Sequence, residues 1–175
     1  MNELIVISAV GTDRAGVVRA LTKRILEAGG NIVESRMAAL GHEFAMLLLV
    51  SGNWHTLAKL EGDLAKLGDE LSLTIRRTQP RGPRTDEVPY MVDVVCLDEP
   101  GIVFNIAGFF SSRNIEIAEL NTRSYAAAHT GAPMFEVQMT ANISSKISIA
   151  NLRDDFMEFC DQHNLDALME PVKGG

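Results

Sequence analysis

The chain of 175 residues has two cysteines, Cys96 and Cys160. Each lies in an apolar setting, so they imply no disulfide framework, and the fold must rest on its own core in a reducing cell. Basic residues are few as well: 16 Lys and Arg against 23 Asp and Glu leave a formal charge of −7. Phosphate backbones are gripped by clustered positive charge, so direct nucleic-acid binding is disfavoured. The one basic cluster, Arg76, Arg77, Arg81 and Arg84, sits in RRTQPRGPRTDE and reads as solvated linker. No apolar run approaches the ~18 residues needed to span a bilayer, and MNELIVISAV lacks a basic leader, so no membrane contact and a cytoplasmic location are expected. His42, His55, His129 and His163 are scattered with no pair at metal-ligand spacing. Ser111-Ser112 and Ser144-Ser145 lack the context of an activated nucleophile and read as polar helix-end residues. No metal, cofactor or catalytic residue is expected.

What the chain does have is repetition. Its hydrophobic fraction of 46% and charged fraction of 22% suit a packed globular protein. GTDRAGVV, from Gly11 to Val18, returns as LDEPGIV, from Leu97 to Val103, with Asp13 and Asp98 85 positions apart. At that one offset Ile5, Ile7 and Ala9 fall on Tyr90, Val92 and Val94; Gly16 falls on Gly101, Leu21 on Ile106 and Ile25 on Phe110. Ile32 and Glu34 fall on Ile117 and Glu119 without a gap. Two copies of one fold unit are indicated.

Each copy reads the same way. Residues 3–10 form a strand; Val17, Val18, Leu21, Ile25 and Ala28 then recur at helical spacing until Gly29-Gly30 stops them. NIVESRMAAL and EFAMLLLVS read as an antiparallel hairpin turning at Gly41-His42. Asn53 can cap a helix striped by Leu57, Leu60, Leu64 and Leu67 before Gly68, and LSLTIRR closes the unit as a strand. In the second copy YMVDVVCL leads to a helix with Ile102, Val103, Ile106 and Phe110. A hairpin with AAAHTGAP inserted as a longer loop follows, then a helix with Ile149, Leu152, Phe156 and Phe159. The fold class is therefore α+β, two tandem ferredoxin-like βαββαβ domains, each an antiparallel sheet with helices on one face. The expected boundaries are 1–78, a Pro- and charge-rich linker at 79–88, and 89–175.

The repeated junction leaves a strand and immediately starts a helix, whose first amides have no partner within it. One account has Asp13 and Asp98 cap those amides, with Pro100 at an early helical position. The other uses the free amides and the helix dipole to hold a ligand carboxylate, with Gly16 and Gly101 allowing close approach and a nearby Asp meeting an ammonium. The second account implies a zwitterionic amino acid.

DRAG and DEPG at that junction, each within a βαββαβ repeat, resemble the D-[RE]-P-G ligand loop of ACT domains, small modules that bind amino acids and regulate metabolism. The first copy departs from the pattern at Ala15. The stretch ESRMAALGHEFAMLLLVSGNW, from Glu34 to Trp54, is similar to the family of glycine cleavage system transcriptional repressors. That resemblance implies a non-enzymatic tandem ACT protein that restrains a LysR-type transcriptional activator by protein contact, with glycine relieving the restraint. It also implies ligand residues: Asp13, Arg14, Ala15, Gly16 and Val17 in the loop, with Asn31 and Ile32 entering the second strand. The matching second site, Asp98, Glu99, Pro100, Gly101 and Ile102, is expected to be weaker because Glu116 replaces the amide of Asn31 and repels a carboxylate. A regulatory subunit like the small subunit of acetolactate synthase is the alternative. An acylphosphatase-type enzyme, a third reading, lacks its phosphate-cradling loop here.

Some residues carry structural expectations only. Trp54 should pack at a core edge, and Met37, Met46, Met134 and Met139 should fill core or interface gaps. Leu4, Val6, Val10, Met91 and Val95 point away from the helices. If helices cover one face only, these residues must be buried by another domain, a partner or a second copy of the chain in a homodimer.

Overall fold

A computed structural model describes residues 3–66, 71–82 and 85–172. The chain divides into two compact units, Met1–Gly82 and Pro83–Gly175. In the first, β1 (Glu3–Thr12), α1 (Val17–Ala28), β2 (Asn31–Leu40), β3 (Glu43–Gly52), α2 (Trp54–Ala65) and β4 (Ser72–Thr78) follow in order. The second repeats this as β5 (Glu87–Leu97), α3 (Ile102–Ser111), β6 (Glu116–Ala126), β7 (Pro133–Ser144), α4 (Ile149–Gln162) and β8 (Asp166–Pro171). Both sheets are antiparallel, ordered β2-β3-β1-β4 and β6-β7-β5-β8. The tandem ferredoxin-like α+β architecture is as expected, down to a bulge at Ile32/Glu34 that recurs at Ile117/Glu119.

Alternation along each central strand sends one set of side chains under the helices. Ile5, Ile7 and Ala9 of β1 and Phe44, Met46, Leu48 and Val50 of β3 are buried with Leu21 and Ile25 of α1 and Leu57, Leu60 and Leu64 of α2. Leu67 and Gly68 lie outside the described residues. Gly29, at φ 84°, ends α1 with its amide on the Leu26 carbonyl, while the Gly30 amide bonds the Ile25 carbonyl. Asn53 caps α2 by accepting from the Thr56 amide at 2.9 Å. The second core is built differently, around Phe109, Phe110 and Phe156.

Several local expectations are corrected. Arg76 and Arg77 belong to β4 rather than to a linker, and Arg77 pairs with Glu3 and Glu61; Arg84 lies outside the described residues. β5 begins at Glu87, within the expected linker, because Glu87 to Pro89 find strand partners in Asn142 to Ser144. Most of the AAAHTGAP insertion is a six-residue turn closed by the Ala127 amide on the Ala132 carbonyl, since β6 and β7 extend to Ala126 and Pro133. Ser144 ends β7 and Ser148, not the Ser144-Ser145 pair, caps α4. Trp54 is 57% exposed, its ring centroid 5.2 Å from that of His55 and the two rings nearly perpendicular, and Met37 is likewise 57% exposed; Met46 and Met139 do fill the cores.

Both thiols are buried and unpaired. Burial, reinforced by Asp161, pushes the Cys160 thiol up to about 12 from 9.0. Burial also raises Cys96, with the charges of Asp98, Glu99 and Asp166 adding to it. Only the thiolate alkylates, so Cys160 should resist iodoacetamide at about pH 8 until denaturant is added; rapid labelling of the folded protein would contradict its burial. The sign for stability follows. Between 9.0 and about 12 the folded state keeps a Cys160 proton that the unfolded chain releases, so this contribution is present below 9.0 and is lost as pH rises through that window.

Candidate functional site

The two repeated junctions have the same backbone construction. β1 ends at Thr12, and the Asp13 amide is tied to the His42 carbonyl of the β2–β3 turn at 2.9 Å. In the second unit the Asp98 amide is tied to the Pro133 carbonyl at 2.9 Å. The helix then starts on a glycine: Gly16 with φ 89° and Gly101 with φ 94° are the N-caps of α1 and α3, and neither helix has a side-chain cap. The capping account of Asp13 and Asp98 is therefore wrong. A left-handed cap residue turns the chain so sharply that the acid three positions earlier stands outside the first turn. Pro100 also precedes the helix instead of opening it.

That geometry leaves donors open. The Val17 amide reaches the Arg14 carbonyl at 3.3 Å and the Ala20 amide reaches the Gly16 carbonyl at 2.9 Å. The Val18 and Arg19 amides between them have no acceptor among the described residues. In the second copy Asn105 reaches the Gly101 carbonyl at 2.9 Å, and the Ile102, Val103 and Phe104 amides have no acceptor among the described residues. A Cβ at Gly16 would meet nothing within 4 Å, and one at Gly101 only the Asn105 Nδ2 at 4.0 Å. Asp13, Arg14, Ala15 and Gly16 are exposed, as are Asp98, Glu99, Pro100 and Gly101, while Val17 and Ile102 anchor their helices in the cores. Each junction thus offers free amides at a helix start, solvent access and an adjacent carboxylate, the elements needed to hold an anion beside a cation.

The remaining expected site residues are elsewhere. Asn31 pairs with Ser51, which pairs with Leu4, at the start of β1; the loop follows the other end of β1, where Thr12 pairs with Glu43. Nine residues of strand, about 30 Å at the usual rise, separate the two. Ile32 is next to Asn31 and is equally remote. A single domain does not bring Asn31 and Ile32 to the Asp13–Val17 loop. The same correction applies to Glu116, which pairs with Asn142 opposite Pro89 at the far end of the second sheet from Asp98. Near the second junction, the charges of Asp98, Glu99 and Asp166 add to the burial that raises the Cys96 thiol. Sequence reasoning missed the amides of Val18 and Arg19 and the tether to His42. The positive φ implied by a glycine just before a helical stripe was the available signal for the former.

Comparison with known proteins agrees with the fold. The model of the ACT domain matches residues 3–78. The glycine cleavage system transcriptional repressor of Escherichia coli (strain K12) is 35% identical over 172 residues, covering 96% of this chain and 90% of that protein. A crystal structure provisionally described as a glycine cleavage system transcriptional repressor is 28% identical with a TM-score of 0.74, covering 99% of both chains. A protein of unknown function from Galdieria sulphuraria, 24% identical with a TM-score of 0.80 over 98% of this chain and 99% of that one, shares the fold.

Proposed function

On the premise that this chain belongs to the family of glycine cleavage system transcriptional repressors, we propose that it senses glycine and restrains a LysR-type transcriptional activator by protein contact. At the coarser level it is an amino-acid-sensing regulator of glycine cleavage, built from ACT domains. The observation that carries the sensing reading is the Asp13–Val17 junction, with the Val18 and Arg19 amides open beside an exposed carboxylate. In this proposal those amides and the α1 dipole hold the ligand carboxylate, and Asp13 holds its ammonium. A Gly16 without a side chain leaves the approach clear. Glycine itself needs no side-chain pocket, which suits a shallow backbone site. The charge of −7 favours action through a protein rather than through DNA. The Asp98–Ile102 junction is the weaker second site of the same kind.

Titration calorimetry with glycine and other small amino acids tests the sensing half. Glycine should bind, and Asp13→Asn should weaken it about tenfold or more by removing one charge-assisted contact. Asp13 makes no side-chain hydrogen bond among the described residues, so that variant should fold normally. No heat with any amino acid would end the sensing reading. Capture from native extract with and without glycine tests the other half: an activator released by glycine supports it, and a large biosynthetic enzyme in its place supports the acetolactate-synthase-like alternative.

A further inference from the structure

The open face of the first sheet is separate from the ligand junction. Val6 and Val10 of β1 and Ala45, Leu47 and Leu49 of β3 point away from the helices, as their alternation with the buried set requires. Val10 is 42% and Leu47 53% exposed. An antiparallel sheet can leave one face to water, but that face is then polar; here Ser8, Thr74 and Arg36 share the row of Leu47, and the apolar side chains grouped around them along β1 and β3 mark an interaction surface.

Charge indicates what covers it. Arg76 pairs with Val6, Val6 with Leu49, and Leu49 with Glu34, so one row across the sheet carries a cation at the β4 edge and an anion at the β2 edge. Among the described residues, exposed Arg76 has no ion-pair or hydrogen-bond partner, and Glu34 pairs with its exposed neighbour Arg36 at 3.0 Å. A two-fold axis between two copies, parallel to the strands, lays β4 of one copy over β2 of the other. Arg76 then faces the partner's Glu34, and the symmetry makes the contact twice. β2 and β4 each lie one and a half strand spacings, about 7 Å, from such an axis, and packed sheets are about 10 Å apart, a gap that Arg and Glu side chains bridge together. The strand axes of the two sheets are then nearly aligned, with facing strands running in opposite senses because β4 is antiparallel to β1 and β2 is antiparallel to β3, and this is the aligned class of sheet packing.

We propose that this face is the interface of a homodimer, in which two first domains pack sheet to sheet about that axis. Four strands of about ten residues present about 600 Å² per copy, at the small end of specific interfaces, so the dimer should be concentration-dependent. The proposal is independent of the ligand reading, since the junction residues take no part in it.

Analytical ultracentrifugation of the full chain tests it. The wild type should dimerise, and Leu47→Asp, which puts a charge at the centre of the face, should give a monomer with unchanged circular dichroism and melting. Arg76→Glu and Glu34→Arg should each weaken dimerisation about tenfold, since each removes two exposed ion pairs, and the double exchange should recover most of that loss. A wild type that stays monomeric at about 100 µM overturns the proposal. So does a Leu47→Asp dimer, single charge variants without effect, or a double exchange that recovers nothing.

Discussion

Phe156→Ala is expected to cost the second domain about 3–5 kcal/mol, a large part of the stability of a small domain. Phe156 is fully buried, with its ring centroid 5.1 Å from Phe109, 5.3 Å from Phe110 and 6.1 Å from Phe159. Truncation removes the ring around which the other three are placed, and neighbours on two helices cannot collapse into the void without breaking their own contacts with the sheet. Phe156→Leu keeps much of the volume and should cost less than half as much. Denaturant titration followed by circular dichroism decides it; a loss under about 1 kcal/mol for the alanine variant would show that the cluster repacks freely.

Gly16→Val should lose about 1–3 kcal/mol for a different reason. At φ 89° a branched residue is strained, while the space around the Cβ position is empty to 4 Å, so the penalty lies in the backbone and not in a clash. Gly16→Asn should be milder, because Asn tolerates the left-handed region. The distinction bears on function. A valine variant would have an altered α1 start as well as a blocked approach to the proposed site, whereas an asparagine variant changes the approach with little strain. Melting and calorimetry measured on both separate the two effects, and a Gly16→Val protein as stable as wild type would refute the strained-cap account.

The duplication, the order of strands and helices, and the buried stripes of each element were legible from spacing alone. Leu57, Leu60 and Leu64 recur at helical intervals, and Ile5, Ile7 and Ala9 alternate, because which face of one element is buried is a local property of that element. The acid-x-x-glycine junction was legible for the same reason, as both copies place it between a strand and a helix. Its chemistry was only half legible: the pattern by itself favoured a helix capped by the acid over an open one, and the left-handed Gly16 with no side-chain cap reverses that.

What the linear order could not carry was which ends of the sheet come together. Asn31 follows the Asp13 junction by 18 positions in the chain, yet α1 returns the chain to the start of β1 before β2 begins, so the two stand at opposite ends of the sheet. Likewise, nothing in the separate segments containing Glu34, Leu49, Val6 and Arg76 announces a single row with opposite charges at its edges; antiparallel pairing across four strands creates it. Periodicity determines how each segment buries itself, and only strand direction and register, set by pairing between distant segments, determine which side chains become neighbours.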